Sequence, residues 1–166
     1  MFIGVLGDTD ETRIAVKYLK NQGYEHLNLK DLTNGKKEAG PEHRRKSKKE
    51  LAAIKTPLEK LTHKIFAALE EGVFLRHVFT EITENGLAAF NREIGGMDLI
   101  VLEPDLRAKY QEAVRAGVAK GKSYSAFIGE ERKRMIANPL AQKAEKIQYV
   151  SQDGLRAKLS ELVRKY

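Results

Sequence analysis

Apolar residues fall along this chain in short blocks whose spacing switches repeatedly between strand and helix. Phe2-Ile3-Gly4-Val5-Leu6 is a compact apolar run ending at Gly7, which predicts a buried strand. Ile14, Ala15, Tyr18 and Leu19 then recur at helical spacing until Gly23 stops the helix. Tyr24–Leu29 predicts a second strand, followed by Asp31. Thr33–Lys46 is polar and basic, with Gly35, Gly40 and Pro41, and reads as a loop. Ser47-Lys-Lys-Glu50 and Thr56-Pro-Leu-Glu59 both have the form of a capping box, with Pro57 as first residue of the second helix. Leu51, Ile54, Leu58, Leu61, Ile65 and Leu69 give one apolar face across both helices, and Gly72 ends the pair.

The second half repeats the alternation. Val73–Ile82 contains a third strand, VFTEI, expected to end at Glu81. A helix near 84–93 stops at Gly95-Gly96, and Asp98–Glu103 is a strand as clear as the first. Pro104-Asp105 opens a helix to about Arg115, and Gly117–Ser123 is a basic loop. Tyr124–Ala137 is helical until Asn138-Pro139 breaks it. Ile147–Ser151 is the expected last strand, and Asp153 caps a final helix with Leu155, Leu159, Leu162 and Val163 inward. Strands alternating with helices predict an α/β domain over residues 1–166: a three-layer, mainly parallel sheet with helices on both faces. Such sheets bind ligands beyond the carboxyl ends of their strands. The residues to inspect are therefore Gly7–Arg13, Asp31, Glu81 and Glu103–Asp105.

Composition narrows the chemistry. The 166 residues are 42% hydrophobic and 32% charged, enough for one globular core. The absence of cysteine excludes disulfides, thiol catalysis and Cys metal sites, and fits a reducing compartment, so we expect a cytoplasmic protein. Met1–Asp8 shows no secretory pattern, and runs such as LIVL (99–102) are too short to cross a bilayer. The formal net charge of +7 is unevenly spread. Residues 36–49 carry seven Lys/Arg against two Glu, and residues 107–134 carry eight against three, each a net +5. Arg44, Arg45, Lys46, Lys48 and Lys49 are thus candidates for a nucleic acid or an acidic partner. Stacking aromatics are lacking between 30 and 65, which weakens a single-strand reading. The histidines at 26, 43, 63 and 77 show no ligand spacing and read as structural or surface groups.

The order of these pieces resembles the P-loop kinases of small substrates, especially dephospho-coenzyme A kinases and nucleoside monophosphate kinases. GVLG…AVKYLKNQGYEHLNLKDL is similar to their first strand, loop, helix, second strand and acidic residue. VFTEI resembles their third strand, and DLIVLEPDLRAKYQEAVRAG their strand followed by the Arg-rich segment leading to a lid. SAFIGEERKRMIANPL and YVSQDGLRAKLSELV resemble their closing elements. The resemblance implies a P-loop NTPase architecture of the nucleoside monophosphate kinase kind, with residues 33–75 in the substrate-binding position and 107–137 as a lid-like basic segment. It implies Arg13, Asp31 and Glu81 as catalytic positions. It implies Gly7, Asp8, Thr9, Thr12 and Arg13 as the phosphate loop, with Arg107, Lys109, Arg115, Lys120 and Lys122 as lid cations. The implied cofactor is ATP or another nucleotide with Mg²⁺, and the implied partner a nucleotide or phosphorylated small molecule.

The loop departs from the family pattern. Against G-x-x-x-x-G-K-[ST], a frame starting at Gly7 puts Thr12, Arg13 and Ile14 on the last Gly, Lys and Ser/Thr; a frame one residue shorter puts Glu11, Thr12 and Arg13 there. Neither keeps both the Lys and the metal-binding hydroxyl. Asp8, Asp10 and Glu11 would face the phosphates of ATP, and two like charges at about 5 Å repel by roughly 3 kcal/mol at an effective dielectric near 20. One reading is that the carboxylates of Asp8-Thr-Asp-Glu11 cap the helix and place an internal anion where the family binds phosphate. Another is that Asp8 and Asp10 hold Mg²⁺. The expected function is a kinase-like nucleotide- or phosphometabolite-binding protein with weak or altered phosphotransfer. The alternatives are a non-catalytic relative binding nucleic acid or an acidic partner, and an active kinase using Arg13 for the missing Lys.

Overall fold

Phe2–Leu6 (β1), Glu25–Asn28 (β2), His77–Thr80 (β3), Asp98–Glu103 (β4) and Glu145–Gln148 (β5) pair in parallel as one sheet in the order β2-β3-β1-β4-β5. The computed structural model describes residues 1–34, 56–148 and 152–165; the basic run 44–49, the Ser47 helix start, Leu51 and Ile54 lie outside them. The helices are Thr9–Asn21 (α1), Leu29–Asn34 (α2), Pro57–Glu70 (α3), Glu84–Glu93 (α4), Leu106–Arg115 (α5), Tyr124–Ile136 (α6) and Gln152–Arg164 (α7), with a 3₁₀ turn at Pro139–Gln142.

Strand side chains alternate between two helical layers, as the period of two requires. Ile3, Val5, Val78, Ile100 and Leu102 pack with Ala15 and Leu19 of α1 and Leu155, Leu159 and Leu162 of α7. Leu6, Phe79 and Val101 face the other way, onto Leu29 of α2, Leu58, Leu61 and Ile65 of α3 and Phe90 of α4. Phe79 meets Phe90 edge-on at 4.9 Å between ring centres, and Phe2 meets Phe90 at 5.6 Å. This is the expected three-layer α/β arrangement, with β1 at its centre.

Local signals account for most boundaries. The Thr56–Glu59 capping box forms in both directions, with Pro57 as first residue of α3. Asp105 caps α5 by accepting from the amides of Arg107 (3.0 Å) and Ala108 (3.1 Å). Gly23 and Gly72 take left-handed φ angles of 87° and 75° where α1 and α3 end.

Five expectations need correction. Leu69 is exposed, because the apolar face of α3 continues past its buried packing onto Val73 and Phe74, which are also exposed. β3 stops at Thr80, leaving Glu81 beyond the ladder at φ 52°. β5 begins at Glu145 rather than Ile147, because its extent follows pairing with Ile100–Glu103 of β4 rather than side-chain apolarity. Asp31 lies inside α2 rather than at a strand end, since β2 runs directly into that helix. Asp153 lies in the first turn of α7 rather than ahead of it.

Candidate functional site

Only Gly7 and Asp8 separate the end of β1 from the start of α1. A side chain at Gly7 would put its Cβ 3.2 Å from Leu102 Cβ and 3.4 Å from Thr12 Oγ1, so the glycine suits the close approach of β4 and α1. Asp8 is the N-cap by backbone: it is extended, and its carbonyl accepts from the Thr12 amide at 3.0 Å. Its side chain makes no capping bond. The expectation that the carboxylates of Asp8-Thr-Asp-Glu11 cap the helix is therefore corrected at Asp8. The Asp8 carboxylate turns instead to accept from the Lys109 ammonium of α5, and Asp10 accepts from Arg13 at 3.2 Å. Pairing with a cation holds Asp8 away from the helix amides.

Lys109 is the hub of this junction. Its ammonium also stands 3.9 Å from a Glu131 carboxylate of α6, whose other oxygen is 3.5 Å from Arg134. Burial pulls the Lys109 pKa down, but the hydrogen bond and charge of Asp8, with Glu11 and Glu131, outweigh it and hold the pKa above the ordinary lysine value. One side chain thus ties the β1–α1 junction to both α5 and α6.

On the other side of Gly7 a cavity of about 510 Å³ opens at the carboxyl ends of β1 and β3. Val5, Leu6, Val16 and Ile82 supply apolar wall. Gly7, Thr9, Thr12, Arg13, His26, Thr80, Glu81 and Asn138 supply the polar wall. His26 Nε2 and the buried Thr80 Oγ1 are 2.9 Å apart. Burial, then the Lys20 charge, push the His26 pKa below the usual histidine value. Glu81 holds a left-handed φ of 52°, a strained conformation for a residue with a Cβ, of the kind that gathers at binding sites.

The cavity gathers five of the expected residues: Gly7, Thr9, Thr12, Arg13 and Glu81. The others stand elsewhere. Asp31 is exposed on α2, its amide donating to Asn28 Oδ1 at 3.3 Å. Arg107 lines a separate groove of about 860 Å³ beside β5. Arg115 ends α5 exposed, Lys120 lies in the following turn, and Lys122 pairs with Glu130 at 2.7 Å. Arg44, Arg45, Lys46, Lys48 and Lys49 lie outside the described residues. Asp8 is paired with Lys109 and Asp10 with Arg13, and no cluster of three His, Cys, Asp or Glu that could hold a metal ion is found among the described residues.

His26, Thr80 and Asn138 were not expected here. The β2–β3 register, which sets Asn28 opposite Thr80, brings His26 to Thr80 from 54 residues away. No local pattern encodes that pairing.

No protein-family model matches the chain, and no curated protein does. Solved structures similar to it include a shikimate kinase from Acinetobacter baumannii in complex with shikimate (14% identity, 99% of this chain and 93% of that one, TM-score 0.44). They also include a dephospho-CoA kinase from Campylobacter jejuni (15%, 99% and 96%, 0.42) and a de novo designed protein with a P-loop NTPase fold (14%, 99% and 90%, 0.42). At these identities and TM-scores the likenesses transfer no activity to this chain. The α/β assignment stands on its own sheet and helices.

Proposed function

We propose that the chain binds a small molecule carrying one phosphate or similar anionic group at the cavity beside Gly7, on a kinase-like scaffold with weak or altered phosphotransfer. The observation that carries this reading is the two-residue β1–α1 connection. A triphosphate cradle needs a longer, glycine-bearing loop whose amides converge on several phosphates. Here the helix has already begun at Thr9, so the loop cannot wrap. Asp10 and Glu11 occupy the first turn of α1, and Glu81 lines the cavity, so a highly charged ligand meets like charge.

A single anionic group fares better. The first-turn amides of α1 receive no side-chain cap, and Thr12 and Arg13 line the cavity beside them. The Arg13–Asp10 pair is almost fully exposed, so exchanging Asp10 for a ligand anion costs little. Hydroxyls, an imidazole and one carboxylate on the remaining wall suit a polar body such as a sugar or nucleoside.

Thermal-shift titrations with inorganic phosphate, nucleoside monophosphates, sugar phosphates and ATP, each with and without Mg²⁺, test this. Monophosphates should raise the melting temperature with Mg²⁺ making no difference, since a ligand that binds only the folded state must stabilise it. Phosphotransfer from ATP should fall well below the range of about 1–100 per second typical of kinases. Turnover in that range, or ATP·Mg²⁺ stabilising more than every monophosphate, overturns the proposal.

A further inference from the structure

β2 and β3 supply His26 and Thr80 to the cavity beside Gly7, and α1 supplies Thr12 and Arg13. His26 is exposed, so protons reach it freely, whereas Thr80 is buried. His26 Nε2 stands 2.9 Å from Thr80 Oγ1. A hydroxyl has one hydrogen and two lone pairs, so with a neutral imidazole this bond forms in either direction. If Thr80 donates to the ring, only its lone pairs are left for the cavity, and those repel an anion. In an imidazolium both ring nitrogens are donors. Nε2 must then donate to Oγ1, and the Thr80 hydrogen is free to point at a bound anion. Protonation therefore sets the hydroxyl as a donor and adds a positive charge behind it.

We propose that His26 is a second cationic contact of the anion site, recruited by protonation and delivered through the Thr80 hydroxyl, so that the cavity takes up a proton together with its anion. This rests on the reading that an anionic group binds beside Gly7.

The charges around His26 explain why the anion recruits the proton. Three elements pack on β2: α1, α2 and β3. α1 brings Lys20, and Arg13 at the cavity. α2 carries Lys30 and Asp31, both exposed, and Glu81 follows β3 onto the cavity wall. Burial, then the Lys20 charge, already hold the His26 pKa below the ordinary histidine value. Positive neighbours thus oppose an imidazolium in the empty site, and an anion beside Arg13 offsets them. Glu81 is there with and without ligand, so the change on binding is the signature, not the absolute midpoint. A cavity of about 510 Å³ is roughly 10 Å across, and one added charge over that span changes the affinity for an anion by about twofold to tenfold once solvent screening is counted. Coupling is reciprocal, so the bound anion must raise the His26 midpoint by the same factor, about 0.3–1 pH unit.

Inorganic sulfate is the probe, because it does not itself titrate near neutrality. Calorimetric titration of the full chain should show sulfate affinity rising about twofold to tenfold from pH 8 to pH 5.5. Paired buffers of different ionisation heat should show proton uptake on binding. His26→Gln should flatten the pH dependence and abolish the uptake, and Thr80→Val should reduce both. His77→Phe, which removes another titrating ring outside the cavity, should keep the dependence. Proton NMR of the wild type should show the His26 ring midpoint rising when sulfate saturates, and this readout does not depend on any variant folding. A sulfate affinity that ignores pH, an unmoved His26 midpoint, or an undiminished dependence in His26→Gln overturns the proposal. If sulfate binds in each of those cases and Arg13→Gln weakens it, the anion reading of the cavity stands. If neither sulfate nor phosphate binds at any of these pH values, both fall.

Discussion

Replacing Lys109 by Met removes the cation that, among the described residues, joins the β1–α1 junction to α5 and α6, while keeping most of the side chain's volume. Lys109 is three-quarters shielded from solvent, Glu131 is 16% exposed, and Asp8 is about half exposed. At 3.9 Å and an effective dielectric of 20, the Lys109–Glu131 attraction alone is about 4 kcal/mol, and the closer Asp8 contact adds more. Desolvation of the ammonium opposes that gain. Exposed pairs contribute about 0.2–1 kcal/mol, and deleting one member of a fully buried pair costs about 3–5 kcal/mol. This site lies between those limits, so we expect a loss of about 1–3 kcal/mol. For a chain of this size that is roughly 2–12 °C in melting temperature. The sign with pH follows from the raised pKa of Lys109. Its contribution is complete below the unfolded lysine value of 10.5 and disappears as pH rises through the higher folded value. Thermal denaturation of the wild type, Lys109→Met, Asp8→Asn and the double variant forms the cycle that isolates the pair. Asp8→Asn keeps a good capping residue and should cost less than Lys109→Met. A melting temperature unchanged in Lys109→Met, or strictly additive single variants, would refute the account of the hub.

Arg13→Gln should remove most of the stabilisation by inorganic phosphate in thermal shift while leaving the unliganded melting temperature within about 2 °C, because its exposed pair with Asp10 contributes little; undiminished phosphate response would take Arg13 out of the site. His77 is buried beside Phe2 and Phe79 with its Nε2 3.3 Å from a Glu25 carboxylate oxygen, and burial lowers its pKa despite that neighbour. Stability should therefore be lost as pH falls below about 6.5, and His77→Phe should flatten that part of the curve; parallel curves for both proteins would contradict it. Phe90→Ala, at a fully buried ring packed on Phe79 and Phe2, should cost about 3–5 kcal/mol in denaturant unfolding, and a cost under about 1 kcal/mol would mean the second core is not where stability resides.

Elements that carry their own signal were legible. β1, α4 and β4 lie where apolar runs and caps put them, because a central strand is apolar on both faces and a helix end is marked by its own residues. β5 was displaced because an edge strand tolerates Glu145 and Lys146, so pairing rather than hydrophobicity sets its start. The candidate site was half legible. Gly7, Thr9, Thr12 and Arg13 fall within one seven-residue stretch and follow from one strand end. The contacts that decide their chemistry are not local: Asp8 meets Lys109 across 101 residues and His26 meets Thr80 across 54. A capping role for Asp8 was a sound local inference, defeated by a cation that only the folded chain delivers.

The central place of β1 has a consequence for how the chain is made. Its neighbours are β3 and β4, so during synthesis Phe2–Leu6 finds no strand partner until residues 77–80 have followed. At synthesis rates of about 5–20 residues per second, that wait is roughly 4–15 s. During it the most apolar strand stands unpaired, next to α1, whose Ala15 and Leu19 are equally without cover. β3 can pair with both β2 and β1 before β4 and β5 are made, so a chain stalled before β4 would leave one edge of β1 unpaired and its core layer without the leucines of α7.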